Sequence, residues 1–229
     1  MSFLTINGVS SLDYGVRISG GGTYGSPDRD VEEVSIPGRN GTLLIDNGRF
    51  ENIEVKYPAY IPDKFPEKMA RFRAFMGTLT GFKRLEDTYH AEFFRLASFS
   101  KGLSPKTTPL NRGGEFDITF TCKPQRWLKE GENEVIPGEI LYNPTLYPSK
   151  PKIRLYGKGT LTIGEYEMTV DPLYPNEYID IDCDLMNASY GAVNFNNYIS
   201  GQFPVLEPGD NEIEWTGDSL TIIPRWWTI

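Results

Sequence analysis

The chain has 229 residues, of which 39% are hydrophobic and 13% aromatic, enough apolar mass for one large β domain or two smaller ones. Its 23 Gly and 17 Pro suit a fold of many short strands and turns and fall below the level of disordered chains. The formal net charge of −8 is uneven: residues 1–130 carry 18 Lys and Arg against 16 Asp and Glu, residues 131–229 carry 5 against 15. The acidic second half argues against DNA or an anionic membrane as a binding partner there. No run approaches the roughly 18 apolar residues of a membrane helix. The start, MSFLTINGVS, lacks the basic patch and apolar core of a signal peptide, so the expectation is synthesis and folding in a cytoplasm.

The first half opens with short strand candidates, FLTING and GVRISG, separated by SSLDY. The Gly-rich, charged residues 20–30, GGGTYGSPDRD, read as a flexible arm that includes Tyr24. VEEVSI and TLLI follow as strands on either side of Pro37, Gly38, Arg39, Asn40 and Gly41. Residues 46–48, DNG, read as a second turn. RFENIEVKYPAYI then alternates Phe50, Ile53, Val55 and Tyr57 with polar residues, and its one slip of phase near Asn52 suits a bulge.

The spacing of Phe65, Met69, Phe72, Phe75 or Met76, and Leu79 predicts a helix over residues 64–79 with one apolar face. Asp63 is its expected cap, Pro66 lies in its first turn, and Gly77 or Gly81 is expected to end it. FKRLEDTYHAEFFRLASF and GGEFDITFTCKPQRWL read as strands. Residues 1–130 are therefore expected to be an antiparallel β domain covered by one helix. Pro124, Pro137, Pro144, Pro148 and Pro151 mark residues 122–151 as a crossover, too rich in proline for a central strand.

Residues 131–229 read as all β, in KIRLYGKG, TLTIGEYEMTV, EYIDIDCDLM, GAVNFNNYIS, DNEIEWTG and SLTIIPRWWTI. In TLTIGEYEMTV the apolar phase jumps from Ile163 to Tyr166, which a two-residue type II′ turn at Gly164-Glu165 explains. Strands at this spacing predict a sandwich or jelly-roll-like domain, making the chain mainly β overall.

Several groupings invite chemistry. Asp180, Asp182 and Asp184 alternate like calcium ligands, but an EF-hand loop starting at Asp180 would need Gly and Glu where Leu185 and Gly191 stand. The same run leaves Ile179, Ile181, Cys183 and Leu185 for a buried strand face. Cys122 and Cys183 are far apart, without a CxxC or a Cys/His cluster, so both are expected as free thiols and no metal site is assigned. His90 is the single histidine and no GxSxG elbow exists, so no catalytic residue is assigned. The 31 acids always offer carboxylate pairs, so a glycosidase is a weak third reading. GGGTYGSP lacks the Lys-Ser/Thr of a phosphate loop, and no cofactor is expected. Arg71, Arg73, Lys83 and Arg84 cluster without a nucleic-acid reader motif, which favours a solvated helix face or a subunit contact. Tyr190, Asn194, Asn196, Asn197, Tyr198 and Trp215 have the composition of sugar-binding sandwiches, and equally that of buried sandwich aromatics.

SIPGRNGTLL, GFKRLEDTYH, FTCKPQRWL, NPTLYPSKPKIRLYGKG, IDIDCDLMNA, FPVLEPGDNEIEWTG and IIPRWW, in this order, resemble the distal tail proteins of long-tailed bacteriophages. The resemblance spans essentially the whole chain. It implies a ring-forming N-terminal β domain with one helix and a C-terminal β-sandwich like galectins or carbohydrate-binding modules. It implies a homohexamer around a channel, at the tip of the virion tail, that meets the tail tube protein, the tail-associated tip protein and receptor-binding or other baseplate proteins. DNA would only pass through, no membrane would be entered, and no catalysis is implied. Pro37, Gly38, Arg39, Asn40, Gly41 and Tyr24 become candidates for contact with a neighbouring subunit. The alternative is a lectin-like protein that binds host glycans through Tyr190, Asn194, Tyr198 and Trp215.

Overall fold

Alternation from Ile53 to Ile61 buries Ile53, Val55, Tyr57, Ala59 and Ile61 on one face of a nine-residue strand, in a computed structural model that describes residues 2–107, 112–171 and 178–229. The chain divides into two units, one formed by residues up to Arg126 together with Ile229, the other by Trp127–Thr228.

The first unit contains β1 (Leu4–Ile6), β2 (Val9–Ser10), β3 (Arg17–Ile18), β4 (Arg29–Ser35), β5 (Thr42–Phe50), β6 (Ile53–Ile61), α1 (Phe65–Thr78), β7 (Lys83–Asp87), β8 (Phe93–Ser98), β9 (Lys106–Thr107) and most of β10 (Gly114–Leu128). Its main sheet has the order β2-β1-β7-β8-β10-β6-β3, with β9 added beside β10. α1 buries Phe65, Met69, Phe72 and Met76 into the core that the sheet supplies, as the three-and-four spacing predicts. Its Phe72 ring meets Phe116 of β10 at 6.2 Å.

Four local expectations are corrected. Asp63 does not cap α1: Lys64 occupies that position at φ 49° with no side-chain cap, and Asp63 pairs instead with Lys68 at 2.5 Å. Residues 46–48 are no turn: β5 continues through them, and the register shifts between Arg29 and Val31 opposite, so Gly48 at φ 70° sits in a bulge. Near Asn52 the reverse holds, because β5 ends at Phe50 and β6 begins at Ile53. The strand through Cys122 continues to Leu128, since Pro124 lies past the last pair with β6, Cys122 with Ile53, where that partner asks no N–H of it.

The second unit adds β11 (Ile140–Asn143), β12 (Lys152–Tyr156), β13 (Gly159–Ile163), β14 (Tyr166–Val170), β15 (Ile179–Asp182), β16 (Asn187–Tyr190), β17 (Val193–Asn194), β18 (Ile199–Gly201), β19 (Gly209–Trp215), β20 (Ser219–Ile223) and β21 (Trp227–Thr228). Two five-stranded antiparallel sheets, β11-β19-β13-β14-β18 and β17-β16-β15-β12-β20, bury alternate residues in one shared core, the arrangement of a sandwich. Ile163 pairs with Tyr166 across the Gly164-Glu165 turn, with Gly164 at φ 55° as the expected hairpin requires. β15 is shorter than its sequence implies. Asp182 accepts hydrogen bonds from the N–H groups of Asp184 and Leu185, turns the chain, and leaves Leu185 72% exposed. Glu177, within the strand run EYIDIDCDLM, lies outside the described residues. Cys122 and Cys183 are buried free thiols, each pushed up to about 12 by burial first.

Candidate assembly interface

Among the described residues β4 and β5 form a two-stranded sheet by themselves, pairing with no other strand. Ser35 pairs with Thr42, and the six residues between them make the tip. Pro37 pre-sets the first central position of a type II turn and Gly38 takes the second at φ 81°, while the Arg39 N–H donates to the Ile36 carbonyl at 3.1 Å. Gly41 returns the chain at φ 82°. Arg39 is exposed, and its side chain has no ion pair or hydrogen bond among the described residues. Near the base, Arg29 pairs with Asp46 at 3.1 Å and Arg49 with Asp30 at 2.5 Å, and Arg29 lies 5.0 Å over Phe50.

The hairpin carries apolar side chains on both faces. Glu32 stands opposite Ile45 and Val34 opposite Leu43, so these four share one face. Val31, opposite Asp46, and Leu44, opposite Glu33, lie on the other. Leu43, Leu44 and Ile45 are 50%, 57% and 43% exposed. A run of three apolar residues on consecutive positions is the pattern of a strand covered on both sides. Among the described residues nothing covers Leu43, Leu44 or Ile45 on either side.

The Gly-rich residues before the hairpin are bound rather than forming a free arm over their first part. Thr23 bridges to Lys56 of β6 through two backbone hydrogen bonds of 3.0 and 3.2 Å. The glycines are there because the chain lies directly on β6: a Cβ at Gly22 would stand 2.6 Å from Val55 Cγ1 and 2.8 Å from Tyr57 Cζ. Tyr24 is half-buried, with the Arg95 guanidinium 4.5 Å and that of Arg126 5.8 Å from its ring centroid.

In the second unit, Tyr190 and Tyr198 both pack on Phe195, at 6.2 and 5.0 Å. Asn194 donates to Asn187 at 2.9 Å and accepts from the Asn196 N–H at 3.0 Å. Trp215 belongs to the opposite sheet, donates from Nε1 to the Tyr156 carbonyl at 3.2 Å, and covers Gly217. The structure thus gathers Tyr190, Asn194 and Tyr198 at one end of a sheet and sets Trp215 apart.

The alternating acids are paired with cations. Asp180 takes both donors of Arg154 at 2.7 and 3.0 Å, Asp182 takes both of Arg225 at 2.8 and 2.7 Å, and Asp184 lies 3.5 Å from Lys150. Hydrogen bonding to Arg225 first holds Asp182 below the usual carboxylate range. Among the described residues no group of three or more His, Cys, Asp and Glu is placed to hold a metal ion, and no helix is long and apolar enough to cross a membrane. The basic cluster also serves the fold: Arg71 lies 5.8 Å over Tyr14, Arg73 donates to the Leu103 carbonyl, and Arg84 pairs with Glu86 and lies 3.7 Å over Phe94. His90 Nδ1 sits 3.2 Å from Asp87 Oδ1.

No family model and no curated protein matches the sequence. Among solved structures, the Dit protein of phage SPP1 aligns over 97% of both chains at a TM-score of 0.72 and 11% identity. The chain has the fold of the SPP1 Dit protein. That protein is described as a paradigm of the hub of the adsorption apparatus in phages that infect Gram-positive bacteria. Chains of the phage p2 baseplate in its activated conformation, with Sr and with Ca, align over 97% of both partners at 12% identity, with TM-scores of 0.46 and 0.47.

Arg95 and Arg126 escaped the sequence reading, although an arginine inside an aromatic strand, EFFRLASF, is a signal that could have flagged the first.

Proposed function

We propose that this chain is a non-catalytic structural subunit of the tail-tip hub of a long-tailed bacteriophage. Six copies close into a ring that joins the tail tube protein to the tail-associated tip protein and to receptor-binding or other baseplate proteins, with a channel through which DNA passes. The observation that carries this reading is the likeness in fold, over nearly the full length of both chains, to a phage tail hub protein. The β4–β5 hairpin supports it from the physics. Leu43, Leu44 and Ile45 put apolar surface on both faces of a ribbon that a single copy leaves in water, and a neighbouring copy supplies the cover. Arg39 at the tip, with five donors in a planar fork, suits an acidic or carbonyl-lined surface on that neighbour.

The test is molar mass by light scattering, followed by negative-stain imaging of the main peak. The expected species has six chains and a central hole. A monomer at every concentration, with or without purified tail tube protein, would overturn the reading.

A further inference from the structure

Arg95 is buried to 6% exposure in the first unit. Its guanidinium lies over the Tyr24 ring and donates from Nη1 to the Pro124 carbonyl at 3.4 Å. Arg126 sits beside it, 4.2 Å over Phe93 and 5.8 Å over Tyr24. Together with Asp87 and His90 the two arginines line one recess. Among the described residues neither arginine pairs with a carboxylate. Asp87, the acid nearest at hand, is already occupied. It accepts from the Tyr57 hydroxyl at 3.0 Å and from the N–H groups of Tyr89 and His90 at 2.9 and 2.8 Å. The Tyr24 side chain is a further hydrogen-bond partner of Arg95, and Arg126 beside it adds a like charge, so two cations share one recess with no carboxylate paired to either among the described residues, an arrangement that an incoming anion relieves.

We propose that this recess binds a carboxylate, and that the carboxylate is Glu32 of a second copy of the chain. The proposal rests on the assembly reading above and names the contact that reading needs. Glu32 is exposed on the hairpin and has no hydrogen bond or ion pair among the described residues. It shares its hairpin face with half-buried Val34 and with Leu43 and Ile45, whose exposed side chains suit the half-buried rings of Tyr24 and Phe93 at the recess. A carboxylate meets a guanidinium through two parallel hydrogen bonds, so the acid supplies the negative charge that the paired arginines lack. The recess of one copy and the hairpin of the next make a head-to-tail contact, the kind that closes into rings. Glu33 is the internal control. It points to the opposite face and accepts from the Thr42 hydroxyl at 3.4 Å.

Two measurements decide it. In the first, association is followed by light scattering. Glu32→Lys and Arg126→Glu should each weaken it about tenfold or more, the size of one lost charge pair. The double variant should recover most of the loss, and Glu33→Lys should behave as wild type. In the second, acetate is titrated into the Glu32→Lys variant while the ring-proton signal of His90, the one histidine of the chain, is followed by NMR. A saturable shift that equal chloride does not produce is expected, and Arg126→Gln on that background should abolish it.

An unmoved His90 signal in the folded variant would overturn the carboxylate site. Association of Glu32→Lys at the wild-type level would overturn Glu32 as its occupant. A wild type that never associates would end both the hub reading and Glu32 as occupant, while the acetate titration still decides the recess alone.

Discussion

Asp182 accepts two hydrogen bonds from Arg225 and two from backbone N–H groups, with side-chain exposures of 17% for the acid and 28% for the arginine. This carboxylate both turns the chain after β15 and anchors the segment before β21, so its charge carries weight in the fold. Its pKa in the folded chain is lowered, chiefly by Arg225. The folded state therefore binds the proton less readily than the unfolded chain. The resulting stabilisation is complete above the ordinary carboxylate value near pH 4 and is lost as pH falls through the lower folded value. Asp182→Asn should destabilise the chain at pH 7 by about 2 kcal/mol, the scale of hydrogen bonds to charged groups. It should also flatten the acid limb. The check is the melting temperature of both proteins from pH 7 to pH 2.5: a gap that stays constant down to the lowest pH would show that Arg225 does not govern the titration. Arg39 provides the opposite case. It is exposed at the tip and tied to nothing among the described residues, so Arg39→Glu should leave the melting temperature of the monomer unchanged and reduce ring assembly.

At the scale of elements, the hairpin β4–β5 stands apart because, among the described residues, its two strands pair with each other and with no other strand. Isolated two-stranded ribbons are marginal in water, so its order should depend on assembly. Hydrogen exchange should find the paired amides of residues 31–46 fast in dilute chain and slow in the ring, while β6 and β10 stay protected in both. Equal protection of the hairpin in dilute chain would remove the need for a partner. Much of the architecture was legible because it rests on periodicity. α1 declared itself through Phe65, Met69, Phe72 and Met76, and the β13–β14 hairpin through the phase jump at Gly164. What was misread rests on glycine chemistry that serves two ends. Gly48 at φ 70° suits a turn or a bulge equally, and only the pairing of β5 with β4 selects the bulge. The end of β10 was hidden for a related reason, since a proline is excluded from a strand only where a partner needs its N–H. The Arg95 recess was illegible for a different one. Its walls come from residues 24, 57, 85, 87, 90, 93–95 and 126, and no spacing in sequence foretells their meeting.

At the scale of the whole molecule, the described residues form two cores, one built from Leu4 to Cys122 and one from Ile153 to Trp226, and each should hold its unit together alone. Composition places the change of character near residue 130, where the acidic half begins, whereas the contacts divide the chain after Arg126. The difference has a physical content. Trp127 and Leu128 belong with the second unit: the Leu128 N–H donates to the Trp226 carbonyl at 2.9 Å, and the Trp127 and Trp227 rings lie 6.5 Å apart. Just beyond them, Gly131 is packed so tightly on Trp226 that a Cβ would stand 2.4 Å from its backbone nitrogen, and its carbonyl accepts from the Arg225 N–H at 2.7 Å. A fragment of residues 127–228 should therefore fold with one cooperative transition. A fragment that starts at residue 131 keeps the Gly131 bond but loses the large apolar contribution of Trp127 and Leu128. It should be less stable by about 2 to 4 kcal/mol, the range for deleting large partly buried side chains. Chemical denaturation of the two fragments gives the comparison directly. Equal midpoints would mean that Trp127 and Leu128 contribute nothing to the sandwich, and that the charge step marks the physical boundary better than the contacts do.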